Sequence, residues 1–444
     1  MQIINNILPV ILGADMNCYS VARAFHEAYG IKSRAFGKHS LGEIKYSKII
    51  KFKSVKNIEQ DEIMIKTLDN LSTQSQGKTK ILIGCTDDYV SFIIRNKKYL
   101  AQEYIIPYID EPLMDKLTPK EKFYQTCDEY NIPYPQTVLI HNEKENNILK
   151  YMPFSYPIII KPSSSILYWK YPFYKMKKIY VANNFYQAKN IISSIYCSGY
   201  PDKLIIQERI PGNDDGMRVL MTYSDQNAKV KMLCFGHILL QEHTPKGLGN
   251  DAATLTIYNR PLMEKMKNLL DEIKYEGFSD IDIKYDPRDN KYKVLEINLR
   301  QGRSNYYITG AGINIAKLLV EDRVLDKDLG NTIFFDKETF WHSIPSKIIW
   351  KYTSDKELVK KAQKIVARGE DSTTLGYKYD LKLNPLRKFY ILEHNRRYAS
   401  KYKKYLGKAP SQFTFYLEKE GNSKKNKMDA EKPNKKYCIS MDNR

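Results

Sequence analysis

Residues 294–300 read V-L-E-I-N-L-R. Val294, Leu295, Ile297 and Leu299 are the apolar content of a buried β-strand. Glu296, Asn298 and Arg300 interrupt them at a period of two, which puts all three polar groups on one face. A carboxylate, an amide and a guanidinium among apolar neighbours are costly to bury unless something binds them. A divalent cation held by Glu296 and the Asn298 carbonyl meets that need, because Mg²⁺ takes hard oxygen ligands and bridges phosphates. Upstream, F-S-D-I-D-I-K-Y (278–285) is a second alternating strand that supplies Asp282. P-R-D-N (287–290) is turn chemistry that joins the two as a hairpin and sets Asp282 beside Glu296. An ordinary strand pair with a solvated polar face is disfavoured, because the polar residues sit among β-branched and leucine side chains.

Around this hairpin the chain divides into segments. Residues 1–115 alternate strands (9–14, 32–36, 47–52, 80–86) with helices (17–29, 62–71), the rhythm of a small parallel sheet covered on both faces. No G-x-G-x-x-G occurs, so a dinucleotide site is disfavoured and a supporting or substrate-binding domain is expected. Residues 116–325 open on a helix from Thr118 to Tyr130, where T-P-K-E suggests Thr118 as N-cap, Pro119 at N1 and Glu121 at N3. Strands at 156–162, 177–182, 203–212, 217–224 and 229–240 follow, with helices at 185–197 and 260–275 and a polar loop at 242–251. Residues 326–417 are basic and aromatic, with an amphipathic helix at 356–367, and 387–395 fits either a strand or a helix. Residues 418–444 have the composition of a disordered basic tail.

Composition narrows the function classes. The 444 residues suffice for about three domains, and the 42% hydrophobic content is that of a globular protein. No apolar run reaches the length of a membrane span, and the N-terminus lacks the basic region of a signal peptide. The six cysteines are dispersed without a C-x-x-C pair, which predicts a reduced, cytoplasmic protein without zinc. A net charge of +20 calls for an acidic partner, whether nucleic acid, anionic lipid or a phosphorylated small molecule. The 35 tyrosines mixed with lysine suit a nucleic-acid binder, but no RNA- or DNA-binding signature accompanies them, and none is expected as partner.

With these elements in order, residues 115–325 resemble the ATP-grasp superfamily, whose members use ATP to activate a carboxylate as an acyl phosphate for capture by an amine. The resemblance implies an α/β protein, α+β in its ATP-binding part, with an N-terminal Rossmann-like pre-ATP-grasp domain and a C-terminal extension. By the family's spacing Lys120 is the first phosphate lysine, and Asp115-Lys116 fits less well. Lys161, ending the strand Y-P-I-I-I-K-P, is the second; a cation ending a buried strand is itself expensive unless it meets an anion. Q-E-R-I-P-G (207–212) resembles the adenine-binding hinge, with Gln207 and Ile210 flanking the base, Glu208 as an alternative and Asp214 on the ribose. Asp282, Glu296 and Asn298 match the metal set, for two Mg²⁺ ions, and Arg300 the phosphate- or substrate-facing arginine. The loop after Lys161 departs from the pattern, having no glycine run. Its hydroxyls with Lys175, Lys177 or Lys178 are candidates to replace it.

A narrower resemblance extends over almost the whole chain except the tail. L-G-A-D-M-N-C-Y-S-V-A-R-A-F-H-E (12–27), G-H-I-L-L-Q-E-H-T-P-K-G-L-G-N-D-A-A (236–253) and L-R-Q-G-R-S-N-Y-Y (299–307) are similar to the D-aspartate ligases of Gram-positive bacteria. Such enzymes join the β-carboxylate of D-aspartate to the ε-amine of L-lysine in a UDP-linked muramyl peptide, a peptidoglycan precursor. For such a substrate Arg300, Arg303, Ser304 and Asn305, just after the metal strand, are expected to clamp the α-carboxylate, and Lys246, in the loop T-P-K-G-L-G-N whose glycines allow close backbone approach, to lie over the reacting carboxylate. His243 is a candidate base for the amine, beside the commoner structural role of a loop histidine. Net positive charge then suits a diphosphate-bearing acceptor assembled near an anionic membrane, with which peripheral contact is possible. Two alternatives stand beside this reading: an ATP-grasp ligase for another amino acid or carboxylate, and a nucleic-acid or membrane-binding module on an inactive scaffold. The intact Asp282/Glu296/Asn298 set argues against the second.

Overall fold

The computed structural model describes residues 2–174, 176–244 and 247–406. They form two units, one of residues 2–134 with 211–406 and the other of residues 135–210.

The first unit begins with β1 (Ile7–Leu12), β2 (Ser33–Gly37), β3 (Ile50–Ser54) and β4 (Thr79–Gly84), a parallel sheet in the order β3-β2-β1-β4. Strand alternation divides its side chains between two cores. Ile7, Ile11, Ile81 and Ile83 pack with Val21 and Phe25 of the helix Met16–Tyr29, while Val10, Leu12 and Leu82 pack with Leu68, Val90 and Ile93 of the helices Asp61–Gln74 and Asp87–Arg95. Both faces are therefore covered, as the βαβ rhythm predicts. Asp15 caps the helix Met16–Tyr29 by accepting from the Cys18 amide at 3.2 Å, and Gly30 ends it in the left-handed region at φ 69°.

Residues 135–210 carry the antiparallel strands β5 (Thr137–Ile140), β6 (Ile158–Pro162), β7 (Tyr180–Ala182) and β8 (Leu204–Glu208), ordered β5-β8-β6-β7. Ile158, Ile160, Leu204 and Ile206 turn one face onto Ala188, Ile192 and Ile195 of the helix Phe185–Cys197.

Back in the first unit, β9 (Met217–Ser224), β10 (Val230–Gln241), β11 (Asp251–Ile257), β12 (Gly277–Asp286), β13 (Lys291–Asn298), β14 (Ile333–Phe334), β15 (Phe340–His342) and β16 (Asp371–Thr373) make one sheet. Its order is β13-β12-β9-β10-β11-β15-β16, with β14 beside β10. Gly277 opens β12 at φ 85°, and a Cβ there would meet the Pro107 carbonyl oxygen at 2.1 Å. Only glycine lets β12 approach the chain that leads out of the parallel sheet.

Two local expectations are corrected and one open alternative is decided. The helix after residue 118 spans Lys120–Glu129 with Pro119 at its N-cap; Thr118 instead ends the helix Glu111–Leu117, its amide donating to the Met114 carbonyl at 2.9 Å. That preceding helix holds Thr118 in helical geometry, so its hydroxyl does not form the expected cap. β3 (Ile50–Ser54) starts later than the expected 47–52, because residues 42–46 form turns and the Ser47 amide donates back to the Ile44 carbonyl at 3.1 Å. Residues 387–395 are helical, inside Pro385–Leu406. The tail at 418–444 lies outside the described residues.

Candidate active site

β12 and β13 pair antiparallel with Asp282 opposite Glu296 and Asp280 opposite Asn298. Ile281, Ile283 and Val294 are buried on the other side of the hairpin, and this fixes the register that groups the polar residues. Burial, then the Glu296 carboxylate, pushes the Asp282 carboxyl well above the usual range. Asp280 is pushed up to about 7 by burial, against the Arg300 guanidinium and with Asp251, Asp87 and Glu296 adding to it. Its Oδ1 is buried with no hydrogen-bond partner among the described residues, and Gly302 lies so close that a Cβ there would be 2.4 Å from Oδ2. Asp280 was missed in the sequence, although the same D-I-D alternation that selects Asp282 contains it.

Lys120, from the first turn of Lys120–Glu129, reaches across to pair with Glu296. Burial works against its charge, but Glu296 and Tyr124 outweigh it and raise the pKa. Lys116 pairs instead with Glu129 at 3.0 Å on the surface. Asn298 donates from Nδ2 to the Asp280 carbonyl at 3.1 Å, which orients its amide. Among the described residues no three His, Cys, Asp or Glu side chains converge as a metal site, so a cation here would take two carboxylates and an amide.

Beyond β13, Arg300 donates from Nε to Asp87 at 2.8 Å. Asp87, Asp280 and Asp15 outweigh burial and hold its guanidinium charged. Arg303 lies 2.9 Å from Glu242 and 3.9 Å from Glu43. Ser304 donates to Asp251 at 3.2 Å, and Asn305 donates to Asn17 at 2.9 Å and to the Gly302 carbonyl at 2.7 Å. Ser304 and Asn305 are buried, so they brace the segment from within.

The edge of this cluster is formed by the loop after β10. His243 Nε2 and Asp214 Oδ2 are 2.7 Å apart, and the same oxygen accepts from the Gln241 amide at 2.9 Å. The Gln241 side chain donates to Asp251 at 3.1 Å, and burial pushes the Asp251 carboxyl up to about 6. Tyr398 donates to Glu242 at 3.0 Å and Tyr402 to the Gln241 carbonyl at 2.8 Å, so the C-terminal helix holds the loop's base. Lys246 and Lys175 lie outside the described residues.

The second unit carries its own cluster. Lys161 ends β6 and its Nζ donates to Gln207 Oε1 at 3.1 Å, across the β6–β8 pairing. Gln207 in turn donates to the Thr137 hydroxyl at 2.8 Å, and Glu208 Oε1 accepts from the Gln136 amide at 3.0 Å. Gln207, Glu208 and Ile210 are all buried.

No protein-family model matches the chain. It is 36% identical over 407 residues to the D-aspartate ligase of Enterococcus faecium, covering 90% of this chain and 96% of that one. Solved structures with similar folds include the L-amino acid ligase of Bacillus licheniformis (TM-score 0.52, 12% identity, 72% of this chain and 74% of that one). The N5-carboxyaminoimidazole synthetase of Staphylococcus aureus complexed with ADP is another (TM-score 0.55, 15% identity, 77% and 83%). A third is the biotin carboxylase domain of Hydrogenobacter thermophilus 2-oxoglutarate carboxylase (TM-score 0.56, 12% identity, 75% and 73%). The fold is that of the ATP-grasp ligases, and the chain belongs to the D-aspartate ligase family.

Proposed function

We propose that the chain is an ATP-dependent carboxylate–amine ligase. In this reading it joins the β-carboxylate of D-aspartate to the ε-amine of L-lysine in a UDP-linked muramyl peptide, through an acyl phosphate and with release of ADP and phosphate. The observation that carries this reading is the 36% identity maintained over 96% of a D-aspartate ligase. The hairpin geometry supports it: Asp282 and Glu296 face each other across the pair, the Glu296 carboxylate helps to push the Asp282 carboxyl up, and two carboxylates so placed fit a divalent cation.

We assign 1–115 as the pre-ATP-grasp domain, 116–325 as the ATP-grasp domain and 326–417 as a C-terminal extension of a cytoplasmic enzyme. Asp282, Glu296 and Asn298 would hold Mg²⁺, as two ions, which supplies charge neutralisation where phosphates and a carboxylate meet. Lys120 and Lys161 bind phosphates; Gln207 and Ile210 flank adenine, with Glu208 the alternative contact; Asp214 is the ribose candidate. Arg300 spreads charge on the transferred phosphoryl group. Lys246 acts at the reacting carboxylate, His243 accepts a proton from the incoming amine, and Arg303, braced by Ser304 and Asn305, takes the α-carboxylate.

ADP release tests this directly. It should require both D-aspartate and a lysine-containing muramyl peptide. D-Alanine should be rejected, because it keeps the α-carboxylate for Arg303 but has no β-carboxylate to take the phosphoryl group. Preferential ligation of another amino acid would overturn the substrate while leaving an ATP-grasp ligase.

A further inference from the structure

The helix Pro385–Leu406 buries Arg387, His394, Tyr398 and Tyr402 along one side. Its opposite side begins with apolar residues in water: Leu386 is 59% exposed, Phe389 70% and Leu392 68%, and Leu383, just before the helix, is 90% exposed. A soluble surface scatters such residues singly, whereas a contiguous group marks an interaction site. The group is not a frayed end. Asn384 caps the helix by accepting from the Arg387 amide at 3.2 Å. Arg387, itself fully buried, donates to the Lys45 carbonyl at 2.8 Å and lies 4.5 Å over the Tyr19 ring. Leu383 is held at φ 53°, a left-handed backbone that leucine rarely adopts, so a strained residue is presented outward.

The rim of this face is basic. Lys378, Lys382 and Lys388 are exposed around it, as are Lys45 and Lys48 from the loop that Arg387 and Asn384 grip. Within 378–392 Asp380 is the one acid, and it is fully buried against Tyr19 and the Lys48 amide. We propose that this rigid apolar tip with its cationic rim docks the protein on an anionic lipid surface. The leucines and Phe389 would enter the headgroup boundary, and the lysines would pair with the headgroups, their stems lying along the apolar side chains. A second copy of the chain fits less well, since a symmetric contact would bring two lysine rims together. This inference is independent of the ligase reading.

Flotation of the full chain with vesicles tests it. Binding is expected to mixed phosphatidylcholine–phosphatidylglycerol vesicles, to fall with salt, and to be absent from pure phosphatidylcholine. Leu386→Gln with Phe389→Gln leaves the charge unchanged and should weaken binding by ~10-fold or more, with ADP release in solution preserved. Leu383→Gly suits the left-handed backbone, so it should fold at least as well and also weaken binding. Failure of the full chain to bind is the result expected if residues 407–444 or a second copy cover the face, and it would overturn the proposal. Equal binding by wild type and the Gln pair would overturn it too, assigning attachment to basic residues elsewhere.

Discussion

Asp214 Oδ2 accepts a hydrogen bond from His243 Nε2 at 2.7 Å, joining the residue expected on ribose to the residue expected to take a proton. An aspartate on one ring nitrogen fixes the tautomer and the orientation of the ring, so proton acceptance would fall to Nδ1. Asp214→Asn is therefore expected to lower kcat by ~10-fold, about 1.4 kcal/mol in the barrier, with a smaller change in the KM for ATP. A large rise in the ATP KM at constant kcat would return Asp214 to the ribose.

Asp282→Asn and Glu296→Gln should each abolish ADP formation, but their effects on stability should differ. Asp282 is buried beside a like charge, so neutralising it is expected to raise the melting temperature without magnesium. Glu296 pairs with buried Lys120, and its neutralisation strands that ammonium and should lower the melting temperature. Magnesium should stabilise wild type and neither variant. Calorimetry reads all three; near-wild-type turnover by either variant would remove the hairpin from the active site.

Lys120→Ala and Lys161→Ala are expected to weaken ATP binding or phosphoryl transfer by ~1.5–3 kcal/mol each, the scale of a hydrogen bond to a charged group. Lys116→Ala should change neither, because its partner Glu129 is on the surface. Nucleotide titration with single-turnover ADP release distinguishes the three. A loss confined to Lys116 would shift the register of the phosphate-binding helix.

What the sequence made legible was what local pattern encodes. The period-two alternation in 278–300 predicts the hairpin, and the observed register pairs Asp282 with Glu296. Helices 185–197 and 356–367 match their amphipathic patterns, with Ile192 and Ile365 on the buried faces. Asp280 shares the alternation and was still overlooked, because its lack of a partner and its contact with Gly302 appear only in three dimensions. The Asp214–His243 bond joins residues brought together by β10 and its following loop, which no spacing rule anticipates. Thr118 has a cap's sequence but sits at a helix's end, since the preceding helix already claims its backbone.

Acid stability should depend on two buried histidines. Burial lowers His237 and His394 to about 4, with Arg218 adding to the effect on His237. In the unfolded chain each takes a proton near the ordinary histidine value of about 6.5. Between those limits the unfolded state binds more protons, so stability rises with pH through this window and is lost as pH falls through it. Each histidine can account for roughly 3 kcal/mol of that loss. Replacing His394 with Gln removes one titration while keeping a polar side chain against Tyr398, whose ring centroid is 4.5 Å from the histidine's. The variant's melting temperature should therefore fall less than wild type's between pH 6.5 and 4, with the two differing little in slope above pH 7. Parallel curves across the acid range would mean that His394 is protonated in the folded protein, and that the Tyr398 helix tolerates the charge.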